Sequence, residues 1–285
     1  MKQIKKQELI RKEYYLNNKV LKEISLLSNQ RECAIFSTKN DGLIEKKGIA
    51  RHITVKSISD AKEIFSYFEL YADSALTFHN TVAQFRSIPR YSFRGANNNA
   101  KELLFIKKLP MNICGYDLVF DVDNCVSSKN GFSYANKLFA FFSHYELPFS
   151  IKFSGNGFHF QINYCNLSKL GFTPGDIYAT PSGKNLAPRV SNFLKFSQKI
   201  KNLDLVFNDY YRLIKAPYSI VGTKLNQFVA LPLTDEQFEN FEISMAFPQN
   251  VLDLGSLGSR GIQERSGNLR GLKDFLSDVF CQKTR

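Results

Sequence analysis

The sequence lacks the features that mark membrane-spanning, secreted and zinc-cluster proteins. No window of its 285 residues approaches the run of about 18 apolar residues that crosses a bilayer, so we expect no membrane span. The charged start, MKQIKKQELIRKEYY, is not followed by an apolar stretch, so we expect no secretory signal. Five scattered cysteines without a CxxC pair predict neither a disulfide framework nor a zinc site, and they favour a reducing compartment.

Aromatic and positively charged residues are abundant. The 26 Phe and 13 Tyr supply many apolar rings, which argues against a disordered chain. A formal net charge of +12 favours a polyanionic partner, either a nucleic acid or an anionic membrane surface. A generic lysine-rich surface is the alternative explanation of this charge. At about 100–200 residues per domain, the length predicts one large domain or two small ones.

Hydrophobic patterning predicts a mixed α/β protein in which no linker plainly separates two domains. Helical periodicity and capping signals predict helices at 2–28, after Ser57 or Ser59, at 132–145, at 190–201, after a capping box at 234–237, and at 269–281. Apolar or alternating runs predict strands at 31–38, 48–55, 75–79, 116–123, 149–153, 158–164, 203–207 and 228–231. Residues 89–110 are predicted to form a surface loop, and residues 255–261 a glycine-rich link.

Two aspartates lie at the end of an apolar strand, in the segment 116–123 (YDLVFDVD). Side chains alternate along a strand, so Asp121 and Asp123 share one face and the apolar residues share the other. Carboxylates this close repel each other unless a cation lies between them, and Mg²⁺ or Mn²⁺ prefers oxygen ligands. The segment therefore indicates a divalent metal site. The alternative is a strand end whose acids simply face water.

A glycine-containing turn follows the next predicted strand, in the segment 154–160 (SGNGFHF). Gly155 and Gly157 lack side chains, which lets backbone N–H groups approach a phosphate, and Ser154 adds a hydroxyl donor. His159 is predicted to face the acid-bearing side of the sheet, where it can donate to a triphosphate oxygen. The alternative is a glycine hairpin with a solvated histidine.

The segment 203–224 (LDLVFNDYYRLIKAPYSIVGTK) combines acids with spaced cations. Asp204 or Asp209 would supply a third acid for a two-metal site, while Arg212 and Lys215 would hold phosphates as charge partners. Taken alone, the segment is equally typical of a surface strand and loop.

In order and spacing, these three segments resemble the archaeo-eukaryotic primase superfamily. FDVD at 120–123 is similar to its hDhD metal motif, and SGNGFHF is similar to its SGxGxH nucleotide motif. The third motif of that family resembles the stretch that runs from the Leu-Asp pair to RLIKAPYS. Upstream, Arg31-Glu32 and the stretch 49–52 (IARH) resemble the RE…hxR pair that contacts the initiating nucleotide in the replicative catalytic subunit. The similarity spans about residues 14–233.

The resemblance implies a role for each matching residue. Two Mg²⁺ or Mn²⁺ ions would be held by Asp121, Asp123 and Asp204, the last being favoured over Asp209 because it ends the Leu-Asp pair. The nucleotide would be bound by residues of the second and third motifs: Ser154, Gly155, Asn156, Gly157, His159, Arg212, Lys215, Ser219 and Lys224. Glu32 and Arg51 would form the initiation site.

Three positions depart from the family pattern. The family's zinc cluster is missing, because Cys125 and His144 do not supply four ligands, and we expect no zinc. Asn156 stands where the family often has a basic residue. The histidine that usually follows the Pro-Tyr-Ser turn is replaced near Val221, so Lys224 is the expected phosphate contact. The remaining cysteines are expected to be mostly buried structural thiols: Cys33, Cys114, Cys165 and Cys281.

The expected fold is α/β (α+β), with an RRM-like antiparallel catalytic sheet packed with an N-terminal α/β module. The expected boundaries are 1–233 for the catalytic domain, with a module at about 1–110 and a core at about 111–233, and 234–285 for a C-terminal helical extension. The resemblance implies a DNA primase or primase-polymerase, which would synthesise short primers de novo on single-stranded DNA and extend them by two-metal catalysis.

The implied partners are a single-stranded DNA template and NTPs or dNTPs. A large accessory primase subunit, a helicase or another replication or repair protein is a further candidate, and no membrane partner is expected. The expected location is the cytoplasm, in association with the nucleoid if the organism is prokaryotic.

Two other functions stay open. A repair or mobile-element primase-polymerase would mainly extend existing ends, although the Glu32 and Arg51 pair argues for initiation. A non-catalytic RRM-like subunit would only bind nucleic acid, although the presence of all three acids argues against it.

Overall fold

The chain folds into helices and antiparallel sheets, which confirms the predicted mixture of α and β structure. The structure is a computed structural model that describes residues 13–38, 46–53, 55–69, 75–87, 112–126, 131–178, 185–204, 212–222, 227–253 and 268–281. Among the described helices, none is both long and apolar enough to cross a membrane.

The strands are, in chain order, β1 (Cys33–Thr38), β2 (Lys46–Ile53), β3 (Ala75–Thr81), β4 (Ala83–Phe85), β5 (Ile113–Tyr116), β6 (Leu118–Val122), β7 (Ser150–Phe153), β8 (Phe158–Ile162), β9 (Leu213–Lys215), β10 (Ile220–Gly222), β11 (Gln227–Val229) and β12 (Pro232–Leu233). The α-helices are α1 (Asn18–Leu27), α2 (Ile58–Glu69), α3 (Gly131–His144), α4 (Tyr164–Lys169), α5 (Pro174–Ile177), α6 (Leu186–Asn192), α7 (Asp235–Glu239), α8 (Pro248–Asp253) and α9 (Leu269–Cys281). A π-helical turn spans Phe193–Ser197, and a 3₁₀ turn spans Ile243–Ala246.

The chain divides into two compact units, which are described separately. The first unit comprises Met1–Cys114, Leu213–Leu231 and Phe241–Ser259, and the second comprises Gly115–Arg212, Pro232–Asn240 and Arg260–Arg285. The N-terminal module predicted at about 1–110 thus includes a later segment, because β9 pairs with β3. The C-terminal extension predicted at 234–285 is shared between the two units.

The first unit is built on an antiparallel sheet with the strand order β2-β1-β3-β9. Ile35 of β1 lies opposite Phe78 of β3, and both side chains are buried. The ring of Phe65, on α2, packs on Phe78 with the ring centroids 5.7 Å apart. A core of this kind is stabilised mainly by removing apolar surface from water.

The second unit contains an antiparallel sheet with the strand order β12-β7-β8-β6. Phe120 of β6 lies opposite Phe160 of β8, and both rings are buried against Phe142 of α3. Because side chains alternate, the neighbouring residues Asp121 and His159 lie on the other face of this sheet. The apolar alternation of the sequence therefore determines which face carries the acids.

Several predicted helix ends are confirmed. Oγ1 of Thr234 accepts from the amide of Gln237, whose side chain in turn accepts from the Thr234 amide, so the capping box is present. Ser57, rather than Ser59, accepts a hydrogen bond from the first turn of α2, at the amide of Asp60. The last helix, α9, has the bounds predicted for it. The predicted loop at 89–110 and the link at 255–261 lie outside the described residues.

Other predicted element ends are wrong. In the described part of the predicted helix 2–28, Asn17 adopts an extended conformation, and its side chain caps α1 by accepting from the amide of Lys19. Asn is a favoured N-cap residue because its side-chain oxygen satisfies an amide of the first turn. In the same way Asn163 ends the predicted strand 158–164 early by capping α4. The helix predicted at 190–201 begins earlier and passes into the π-helical turn.

Candidate active site

A two-residue backbone bridge brings the third predicted acid to the first two. Val122, at the end of β6, pairs with Leu203 in an isolated antiparallel bridge. The amide of Asp204 donates to the carbonyl of Asp121 at 2.9 Å, and the amide of Asp123 donates to the carbonyl of Asn202 at 3.1 Å. The structure thus places the backbones of three predicted metal ligands side by side in the second unit.

The bridge also determines which side chains share a face. Residues directly opposite each other in an antiparallel pair point to the same side. Val122 and Leu203 are both buried, which leaves Asp121, Asp123 and Asp204 together on the other side. Asp209, the competing candidate for the third acid, lies outside the described residues.

A row of charged and polar residues continues across the sheet from Asp121. His159 of β8 lies opposite Asp121, and its Nε2 is 3.4 Å from Oδ2 of Asp121. Lys152 of β7 lies opposite His159, and only 6% of this lysine is exposed. The row therefore runs Lys152, His159, Asp121, Asp204 on one face, with two nitrogen-bearing side chains followed by two carboxylates.

Lys152 is a candidate functional residue that sequence reasoning missed. It is the one charged residue of β7 (SIKF), a strand that is otherwise largely apolar. The amide of Ser154 donates to the carbonyl of Gly157, so the hairpin turn fixes the register that pairs Lys152 with His159. Counting outward from the SGNG turn would have predicted this pairing.

Arg212 supplies a cation next to the third acid. Its Nη2 lies 3.0 Å from Oδ2 of Asp204, and both side chains are partly exposed. Arg212 is predicted to bind phosphate and Asp204 to bind metal, and the structure places the two groups in direct contact. An arginine at this distance can hold a carboxylate or a phosphate oxygen by the same charge-assisted hydrogen bonds.

The glycines of the second motif allow close packing. A Cβ atom on Gly157 would lie 2.1 Å from the carbonyl oxygen of Val122, so only glycine fits beside the end of β6. Gly155 has a φ of 100°, a conformation that glycine adopts without strain. In this geometry the turn from Ser154 to Gly157 is packed directly against the strand that carries Asp121.

Asn156 hydrogen-bonds the turn 154–157 to residues 124–126, which follow Asp123. Its carbonyl accepts from the amides of Cys125 and Val126, at 2.8 and 3.2 Å. Its side-chain Nδ2 donates to Oδ1 of Asn124 at 3.0 Å. The side chain predicted to bind nucleotide is thus hydrogen-bonded to a neighbouring loop.

Cys125 lies behind the acids as a neutral thiol. Burial, together with the nearby charges of Asp121 and Asp123, raises the pKa of this thiol to about 12. Its Sγ contacts the carbonyl oxygen of Val122 at 3.1 Å. Cys33 is buried as predicted, but the expectation of buried thiols is wrong for Cys165 and Cys281, which are exposed because they lie at solvent-facing positions of helices.

The three acids are suitable ligands for a divalent cation in their chemistry, although two of their side chains are engaged elsewhere. Three carboxylates on one face supply the oxygen ligands that Mg²⁺ and Mn²⁺ prefer, so the residues fit such an ion in chemical type. Within the described residues, however, no three His, Cys, Asp or Glu side chains already form a metal-binding group. Oδ2 of Asp121 is directed to His159, and Oδ2 of Asp204 is directed to Arg212.

The predicted initiation residues lie in the first unit. Glu32 is buried just before β1, and its amide and carbonyl pair with Thr81 of β3. Arg51 lies in β2, which pairs with β1 as the predicted hairpin requires. Ala50 lies opposite Ile35 and Ile53 lies opposite Cys33, with an irregularity in the register between these two pairs. Arg51 follows Ala50 in β2 and therefore lies close to the start of β1.

The remaining predicted nucleotide ligands also belong to the first unit. Lys215 is partly exposed on β9 and lies opposite the buried His79 of β3. Ser219 is fully buried, and its Oγ accepts from the amide of Phe78 at 2.7 Å. Lys224 lies outside the described residues. The hydroxyl of Ser219 thus has a structural hydrogen bond that its sequence motif did not indicate.

The chain has a primase-polymerase-like fold, as comparison with solved structures shows. It is similar to the polymerase domain of ligase D from Mycobacterium tuberculosis, solved in complex with DNA. The TM-score is 0.51 at 14% sequence identity, and the similarity covers 89% of this chain and 91% of that domain. No protein-family model and no curated protein sequence matches the chain. At this identity the likeness concerns the fold, and it confirms the predicted fold class.

Proposed function

We propose that this chain is a template-dependent nucleotidyltransferase that makes and extends short primers on single-stranded DNA. The observation that carries the proposal is the bridge between Val122 and Leu203, which brings Asp204 beside Asp121 and Asp123. A nucleotidyltransferase of this type needs three acids at one place, and the sequence separates the third from the first two by about 80 positions.

In the proposed reaction, a 3′-hydroxyl attacks the α-phosphate of a nucleoside triphosphate and pyrophosphate leaves. Asp121, Asp123 and Asp204 would hold divalent ions, which lower the pKa of the attacking hydroxyl and neutralise charge on the leaving group. Oxygen-donor chemistry and the shared face of the three residues support this assignment. An ion bound there would replace the contacts that Asp121 and Asp204 make with His159 and Arg212.

The nitrogen-bearing neighbours of the acids would bind the triphosphate. His159 and Arg212 each lie within 3.4 Å of a carboxylate that is proposed to bind metal. Released from these contacts, each can donate to a phosphate oxygen at the same place. Lys152 lies next in the row, and as a buried cation it would add attraction for the polyphosphate where water is largely excluded.

A second candidate function is the extension of existing ends without initiation. It is favoured by Glu32, whose carboxylate oxygens are buried within the first unit rather than presented to solvent. A carboxylate buried in this way has less access to the sugar of a first nucleotide than the resemblance implies. The polymerase domain to which the fold is similar is, by its name, part of a ligase.

The test is synthesis on a single-stranded template with Mg²⁺ or Mn²⁺ and labelled NTPs or dNTPs, with and without a supplied primer. The proposal predicts primer-free products with the wild-type chain and none with Asp121→Asn. Asp253→Asn is the matched control, because this exposed aspartate ends α8 in the first unit. Products that require a primer would establish the second candidate instead. A chain that binds DNA but incorporates no nucleotide would contradict both.

A further inference from the structure

The most exposed large apolar side chain among the described residues lies a few positions before the third acid. Phe196 is 68% exposed, compared with 45% for Phe280 and 39% for Phe247. The Phe280 ring is covered by the guanidinium of Arg189, and Phe247 stacks on Phe228. Phe196 has no comparable ring or cation contact within the part of the chain that the structure describes. A single exposed apolar ring is common on protein surfaces, so the backbone and the charges around Phe196 decide whether it has a role.

The backbone presents Phe196 on a fixed turn. The π-helical turn Phe193–Ser197 is anchored by its buried neighbours Phe193 and Leu194. After the turn, Ile200 is buried, and its amide donates to the carbonyl of Leu194 at 3.2 Å. Single π-helical turns are rare and occur frequently at functional sites. The ring is therefore held outward by structure on both sides rather than exposed by chance at a chain end.

The surroundings of Phe196 are basic. The segment 193–203 (FLKFSQKIKNL) contains three lysines and no acid. Lys199 and Lys201 are exposed, and Lys199 adopts a φ of 55°, which is uncommon for a residue with a side chain. Lys195 is oriented differently, since its Nζ donates to the carbonyl of Leu203. Two exposed lysines thus follow the ring within five positions of the sequence.

The same segment is tied to the candidate active site. Nδ2 of Asn202 donates to the carbonyl of Asp123 at 3.2 Å, and Leu203 bridges to Val122. The segment that carries the ring and its lysines is therefore hydrogen-bonded to the end of β6 and leads directly to Asp204.

We propose that Phe196, Lys199 and Lys201 form a binding surface for single-stranded DNA, with a base stacked on the Phe196 ring and phosphates held by the two lysines. The inference rests on the proposed function in one respect, since it assigns this surface to the template strand. An aromatic ring combined with lysines is the usual design for binding single strands without sequence preference, because every base has a face that stacks. The lysines and the absence of acids in the segment favour a negatively charged partner. The exposed ring, on which a base can stack, favours a single-stranded nucleic acid over an acidic protein patch.

The test measures binding of a labelled oligothymidylate of about 12 nucleotides by fluorescence anisotropy, without metal or nucleotide. Phe196→Ala should weaken binding about five- to 150-fold, which is the range for loss of one stacked base. The wild type and Phe196→Ala should bind an abasic strand of equal length with the same affinity, because that strand has no base to stack on the ring. Phe196→Tyr should restore binding, and Phe280→Ala should bind like the wild type.

The lysines are tested by salt dependence. Lys201→Gln should reduce the slope of log affinity against log salt by about 0.7, which corresponds to one phosphate contact on a single strand. Lys273→Gln, at an exposed position of α9, should leave the slope unchanged.

Equal affinity of Phe196→Ala and the wild type for oligothymidylate would overturn the inference, as would equal losses on the base-containing and abasic strands. Since the measurement uses no nucleotide, a chain that binds DNA through Phe196 but synthesises nothing would refute the proposed function alone. An active polymerase that does not need Phe196 for binding would refute this inference alone.

Discussion

The backbone amide of Asp204 donates a hydrogen bond of 2.9 Å to the carbonyl of Asp121. The bond joins two acids that are far apart in the sequence, and it is made by backbone groups, so it does not depend on the charge of either side chain. Because the paired residues Val122 and Leu203 are buried, both carboxylates are directed to the opposite face. The fold thus holds close together carboxylates that repel each other unless a cation lies between them.

Gly157→Ala should destabilise the second unit. The added Cβ would lie 2.1 Å from the carbonyl oxygen of Val122, so the turn or the strand must move. Overpacking of this kind costs about 1–3 kcal/mol, measured as the free energy of unfolding in urea. Gly175→Ala is the control, because its Cβ would meet nothing nearer than 3.7 Å. Unchanged stability in Gly157→Ala would mean that the turn does not pack as described.

His159→Ala and Lys152→Gln should raise the apparent KM for nucleotide more than they weaken template binding. A charge-assisted hydrogen bond is worth about 1.5–3 kcal/mol, which corresponds to roughly ten- to 150-fold. Steady-state kinetics at saturating template, together with DNA-binding measurements, separate the two effects. Lys137→Gln, at an exposed position of α3, serves as the lysine control. If template affinity fell and the KM for nucleotide did not change, these residues would belong to a DNA-binding groove.

Cys33 and Cys125 should resist alkylation at pH 8 in the folded protein, whereas Cys165 and Cys281 should react. Burial is the main reason that the pKa of each of the first two thiols rises to about 12, and the thiolate is the reactive form. Peptide mass spectrometry after brief iodoacetamide treatment measures the reaction. Rapid labelling of Cys125 would show that the loop after the acids opens.

The raised pKa values of Cys33 and Cys125 also determine how the stability of the fold depends on pH. A raised pKa in the folded state means that folding favours the protonated thiol. The resulting stabilisation is complete below the unfolded pKa of about 8.5 and disappears as the pH rises toward 12. Urea unfolding of the wild type should therefore show stability falling across this range. The stability of the Cys33→Ala variant should fall less steeply with pH than that of the wild type, because one of the two buried thiols is absent.

Arg51→Ala separates initiation from extension. Starting a chain requires holding a first nucleotide without a base-paired primer, so a dedicated cation for its phosphates matters only at that step. We expect severe loss of the first dinucleotide and near-normal extension of a supplied primer, as measured by gel analysis of both products. Equal loss of both activities would indicate a structural or elongation role. No loss of either would favour an enzyme that only extends ends.

Local patterns predicted the elements, but not every contact between them. The alternation in YDLVFDVD was sufficient to predict that Asp121 and Asp123 share one face of a strand. The capping box at Thr234 was sufficient to predict where α7 begins. The pairing of Val122 with Leu203 is a contact between distant segments, and a slip of one residue would turn Asp204 to the wrong face. The burial of Glu32 was equally unpredictable, because it depends on strands that meet only in the folded unit.

The most direct test of the central claim is single-nucleotide incorporation on a primed template with Mn²⁺, by wild type, Asp204→Asn and Asp253→Asn. If Asp204 completes the catalytic acids, Asp204→Asn should lose at least about a hundredfold in rate while it retains the wild-type unfolding free energy, and Asp253→Asn should be unaffected. Asp209→Asn should be far milder than Asp204→Asn. Wild-type incorporation by Asp204→Asn would contradict the assignment of the acidic face as the catalytic site.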